Sequence, residues 1–131
     1  MSGLTTFDIA GRAMAAQLVR LNTIASNLAN AGAVSNSPDT AYRALKPVFA
    51  SSYAGATATV DVAGIERTGT PERQHDPGHP LADAEGNVWS AAVDPNQELV
   101  EMVETARQYA NNVEVLSAAK ALSLDTLRLG R

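Results

Sequence analysis

The sequence predicts an α+β chain: long N- and C-terminal helices that pair as an antiparallel coiled coil, with a small β-rich middle unit. Three observations predict it. All six prolines lie between Pro38 and Pro95, and five of nine glycines lie between Gly55 and Gly86, so only the two ends permit long helices. Each end carries apolar residues at helical spacing, and the middle holds short β-prone runs separated by turn residues. The expected segments are residues 1–31, 32–94 and 95–131. A chain of 131 residues is about one domain by length.

In the first segment Phe7, Met14, Leu21 and Leu28 recur every seventh residue. Ala10, Ile24 and Ala31 sit three positions later, Leu18 and Ala25 four later. That is one apolar helix face. Thr5 with Asp8 predicts a capping box at its start, and Gly32 a left-handed terminus. Gly11 inside the pattern costs about 1 kcal/mol relative to Ala. The polar side is short of charge: between Ala13 and Thr40 only Arg20 and Asp39 are charged. Gln17, Asn22, Thr23, Ser26, Asn27 and Asn30 are neutral, and Asn22, Ser26 and Asn30 share a face. Neutral amides suit a helix that other helices surround, because they hydrogen-bond without the desolvation cost of a charge. The alternative is a solvated helix that merely has few charges.

The middle predicts strands at 44–49 and 58–65, and a hairpin turn at Glu85-Gly86 before Asn87-Val88-Trp89. A unit of this size buries little core, so its independent stability is expected to be marginal. His75 and His79 are four apart, the spacing of a helical zinc site, but Pro77, Gly78 and Pro80 exclude the helix that gives the spacing its meaning. Asp83-Ala84-Glu85-Gly86-Asn87 offers oxygens around a glycine, yet lacks the alternating ligands and terminal Glu of a calcium loop. Both stretches are expected to serve turns, and no metal or other cofactor is expected.

The last segment opens with Asp94-Pro95-Asn96-Gln97: an N-cap acid, a proline at the first helical position and a Gln three residues after the cap. A stripe follows: Leu99, Met102, Val103, Ala106, Tyr109, Ala110, Val113, Leu116, Leu124 and Leu127. Glu98, Glu101 and Glu104 near the start and Arg128 and Arg131 at the end match the helix dipole. Residues 95–128 as one helix would span ~50 Å, a length that points to a coiled coil or helical array.

Net charge is −4 with no Lys/Arg run, which argues against nucleic acid and anionic lipid as partners. The chain has no cysteine, which excludes disulfides, thiol catalysis and Cys-zinc sites. MSGLTTFDIAGR has neither the basic nor the apolar region of a cleavable signal, and no apolar stretch approaches the ~18 residues of a membrane span. On those criteria alone the chain reads as cytosolic, unless another export route exists. Nucleophile-elbow, phosphate-loop and dinucleotide motifs are missing, so an enzyme is not expected.

Arg20-Leu21-Asn22, Ala25-Ser26-Asn27-Leu28-Ala29-Asn30-Ala31 and Tyr42-Arg43-Ala44 resemble the N-terminal signature of the flagellar rod and hook proteins. Glu101-Met102-Val103 through Arg107–Val115 resembles their C-terminal signature. Asp76–Gly86 is similar to the middle motif of a short rod member. The resemblance implies a structural subunit of the proximal rod in the bacterial basal body, polymerised in a helical assembly that transmits torque and encloses the export channel. It implies other rod subunits, further copies of the chain and the flagellar type III export apparatus as partners, with uncleaved export to the periplasmic space. The residues expected at subunit contacts are Met14, Leu18, Leu21, Asn22, Asn27, Leu28, Asn30, Met102, Tyr109, Val113, Leu116, Leu124 and Leu127. The competing readings are a different rod protein, a soluble coiled-coil adaptor or secretion chaperone, and an enzyme using His75 and His79.

Overall fold

A computed structural model describes residues 5–130. The elements are α1 (Thr6–Asn30), β1 (Val34–Ser35), β2 (Ala44–Ala54), β3 (Thr57–Thr68), β4 (Glu72–His75), β5 (Asn87–Ser90) and α2 (Pro95–Leu129). The architecture is α+β. Arg131 and residues 1–4, which belonged to the expected terminal segments, lie outside the described residues.

Both helix starts follow from local chemistry. The Asp8 amide donates to the Thr5 hydroxyl at 3.2 Å, and the Asp8 carboxylate accepts from the Thr5 amide at 3.0 Å, completing the capping box. That backbone bond, then the Thr5 hydroxyl, holds the Asp8 carboxyl below its ordinary value. Asp94 accepts from the amides of Asn96 and Gln97 in front of Pro95. The end of α1 differs from expectation. Gly32 is not among the glycines with positive φ, which are Gly55, Gly69 and Gly86. The helix instead tightens, Ala31 donating to Leu28 and Ala33 to Asn30. The chain must run straight into β1, where the Ala33 carbonyl accepts from Ala91 at 3.0 Å.

β2 and β3 form one long antiparallel hairpin of 11 and 12 residues, turned at Gly55 with φ 66°. A bulge lies between Val48 and Phe49. The strands run past the two apolar runs seen in the sequence, through Ser51-Ser52-Tyr53-Ala54 on β2 and Glu66-Arg67-Thr68 on β3, because an antiparallel ladder propagates by backbone pairing. A second sheet has the order β1-β5-β4, antiparallel throughout. β4 is Glu-Arg-Gln-His, exposed at every position, and carries no apolar pattern for a sequence reading to find. A charged edge strand of this kind resists pairing with other chains.

α1 contacts both the hairpin and α2. Arg12 meets Asp61 on β3 at 3.2 Å, and Asn27 meets Leu45 on β2, so the hairpin runs along α1 toward its N-terminus. Gln17 donates to Gln108 at 2.9 Å and Asn27 to Glu98 at 3.1 Å. The α1 number rises by ten as the α2 number falls by ten, so the helices run in opposite directions along their contact. At 35 residues against 25, α2 is longer by about 15 Å. From Lys120 to Gly130 each of its residues is exposed. Among the described residues the buried apolar ones are few and mostly small: Ala10, Ala16, Ile24, Ala41, Ala44 and Val88. Among the described residues no helix is long and apolar enough to cross a membrane.

Candidate functional site

The face of α2 that meets α1 is the one holding Glu98, Thr105 and Gln108. Met102, Tyr109 and Leu116 share it and are half-buried. The apolar stripe read from the sequence is therefore divided. Leu99, Val103, Val113, Leu124 and Leu127 turn away from α1 and remain exposed, Leu99 by 50% and Val103 by 63%. With Ala106, Ala110, Ser117 and Ala121 they make an uncharged, exposed line down the outside of α2. Periodicity locates a stripe but not its partner. Here the polar Glu98, Thr105 and Gln108 are used within the chain beside Met102, Tyr109 and Leu116, and the rest of the apolar set is left outside.

A second such line runs down α1: Phe7, Gly11, Ala15, Leu18, Asn22, Ala25 and Ala29 are all exposed and uncharged. Of the residues expected at subunit contacts, Leu18, Asn22, Val113, Leu124 and Leu127 are exposed. Met14, Leu21, Leu28, Asn30, Met102, Tyr109 and Leu116 are half-buried. Asn30 bends its amide back to the Ser26 carbonyl at 2.8 Å.

Asn27, one of the residues expected at subunit contacts, is 0% exposed in the single chain and its amide is saturated internally. Its Oδ1 accepts from the Leu45 amide at 2.8 Å and the Tyr42 hydroxyl at 2.9 Å. Its Nδ2 donates to the Leu45 carbonyl at 2.9 Å and to Glu98 Oε2 at 3.1 Å. Two donors and two acceptors are the full capacity of an amide. By bonding both backbone groups of Leu45, the side chain takes the place of a neighbouring strand on that edge of β2. Ser26 donates to the same Tyr42 hydroxyl.

The surrounding charges are paired. Glu98 is 3% exposed, and its other oxygen lies 3.5 Å from the Lys46 ammonium, which also reaches Glu101 at 2.7 Å. Burial, the largest single influence, pushes the Glu101 carboxyl up. The bond to Lys46 and its charge, with Gln97 and Arg20, outweigh this and leave Glu101 below its ordinary value. Two of the three acids assigned to the helix dipole thus bind a lysine of β2. None of this cluster resembles a reaction centre: its carboxylates are consumed by structural partners.

The middle loop uses its polar residues to turn the chain. Asp83 accepts from the amides of Glu85 and Asn87, and Gly86 donates back to Asp83. Gly86 has φ 78°, and a Cβ there would come within 3.0 Å of Pro77. His79 Nδ1 accepts from the Leu81 amide at 3.0 Å, and His75 Nδ1 lies 3.2 Å from Asn87 Oδ1.

Two family models match: flagella basal body rod protein over residues 7–34, and flagellar basal body rod FlgEFG protein C-terminal over residues 84–129. The first covers α1 and the turn after it, the second the Asp83 turn, β5 and α2. The chain is similar to the flagellar basal-body rod protein FlgC of Salmonella typhimurium, at 45% identity over 100% of both chains. It is 46% identical to FlgC of Yersinia enterocolitica, again over both whole chains. Identity to FlgC of Aquifex aeolicus is 32% over 93% of this chain and 92% of the other. On identity along its whole length and on signatures at both helices, the chain belongs to the flagellar basal-body rod protein FlgC family.

Proposed function

We propose that the chain is a structural subunit of the bacterial flagellar basal-body rod, built into a helical assembly and performing no catalysis. The observation that carries this reading is the pair of uncharged lines along α1 and α2, exposed in the single chain and long enough to be covered only by other helices. In the assembly, residues 1–31 and 95–131 form an inner layer of antiparallel coiled coils around the export channel, and residues 32–94 lie outside it. Repetition of open, head-to-tail contacts generates such a filament, and the contacts pass torque from subunit to subunit. The partners are other rod subunits and further copies of the chain. The export apparatus delivers it uncleaved to the periplasmic space.

The test places a charge on each line. Leu18→Asp and Val103→Asp are exposed substitutions, so the isolated chain should keep its fold, with stability changed by no more than about 0.5 kcal/mol. In the assembly each charge would be buried without a partner, at a cost of several kcal/mol. Cells carrying either variant should export it and yet lack completed rods. Normal swimming by both variants would remove the assembly role of these faces.

A further inference from the structure

We infer that Asn27 couples the docking of α2 to the docking of the β2–β3 hairpin, so that both join α1 in one event. The four bonds of its amide reach two separate elements and the segment that leads into one of them: Leu45 on β2, Tyr42 just before it, and Glu98 on α2. No hydrogen bond or ion pair joins Tyr42 to Glu98 among the described residues; the amide stands between them. Loss of α2 takes an acceptor from Nδ2, and loss of β2 takes a partner from each end of the amide. Either loss is costly to the group that remains. One amide holding both partners makes each docking raise the stability of the other, and a shared network of this kind gives non-additive energies. Lys46 adds a parallel link, since it sits on β2 and binds Glu98 and Glu101. No hydrogen bond or ion pair joins Lys46 to Tyr42 among the described residues, so coupling between Tyr42 and Glu98 isolates the amide. The inference goes beyond the rod reading and stands without it: the parts of α1, α2 and β2 packed around Asn27 would form together.

The test is a mutant cycle on the full purified chain, followed by urea unfolding. Tyr42→Phe and Glu98→Ala are made singly and together, in the native background and with Asn27→Ala. In the native background the double variant should change the unfolding equilibrium constant by a factor at least threefold away from the product of the single effects. In the Asn27→Ala background the effects should multiply to within twofold. Multiplicative effects in the native background, or coupling that survives Asn27→Ala, would overturn the inference. If Asn27→Ala does not fold, hydrogen exchange decides. In the Glu98→Ala chain the Leu45 amide should exchange at least threefold faster relative to the amides of the β1-β5-β4 sheet. An unchanged ratio would overturn the inference.

Discussion

Asn22 and Asn27 lie five residues apart on α1 and look alike in sequence, but the fold uses them differently. Asn22 is exposed, whereas Asn27 has no exposed surface. Asn22→Ala should change the stability of the isolated chain by less than about 0.5 kcal/mol. Asn27→Ala leaves the backbone of Leu45, the Tyr42 hydroxyl and Glu98 short of partners, and should cost about 3 kcal/mol or more. Urea unfolding of the two variants makes the comparison. Glu101 supplies a second residue-scale prediction. Its folded-state pKa is lowered, so its contribution to stability is present above the ordinary carboxylate range and is lost as pH falls through the folded value. Lys46→Met should therefore destabilise the chain at neutral pH, and the difference from the native chain should shrink in acid. A difference that stays constant from neutral pH down through the carboxylate range would remove Lys46 from the account.

At the scale of elements, α2 is anchored at one end only. Its first turn is held by the Asp94 cap, and Glu98 and Glu101 tie the next turns to α1 and β2. Beyond Leu116 its only half-buried residue is Ala119. Helical stability in proteins comes mainly from packing of one face. Hydrogen exchange in dilute monomer should thus show a gradient, with protection near Glu98–Thr105 and fast exchange from Lys120 onward. The same gradient should appear in α1, with protection around Ile24 and Asn27 and loss toward Thr6. Uniform strong protection along α2 in a proven monomer would contradict the packing seen here. The Arg12–Asp61 pair is about half exposed at both ends and adds little.

At the scale of the molecule, the chain folds around a small interior and leaves much apolar surface outside. Removing residues 120–131 takes away no buried side chain among those described. The truncated chain should keep its urea midpoint, lose helical signal in proportion to the helix removed, and fail to build rods. That combination separates a segment needed by the assembly from one needed by the fold, and a large fall in the midpoint would refute the division. The Arg128–Asp125 pair in this segment is exposed and is not expected to alter the result.

The sequence by itself determined whatever depends on neighbours along the chain. Thr5 with Asp8 and Asp94 before Pro95 set both helix starts, because a cap needs only residues within one turn. The confinement of proline to the middle set the α+β division, and Asp83 with Gly86 set the turn before β5. The two terminal signatures were enough to indicate the rod and hook proteins. Tertiary structure decided whatever depends on residues far apart. The Asn27 amide finds Leu45 across 18 positions and Glu98 across 71, and no local spacing announces either partner. It decided the end of α1, where the route to β1 took precedence over a left-handed Gly32. It also decided which face of α2 turns inward. A helical period specifies that a stripe exists, but burial is settled by competing partners. Here the paired amides, the buried Glu98 and Lys46 claimed the inner face and left Leu99, Val103 and Val113 to the outside.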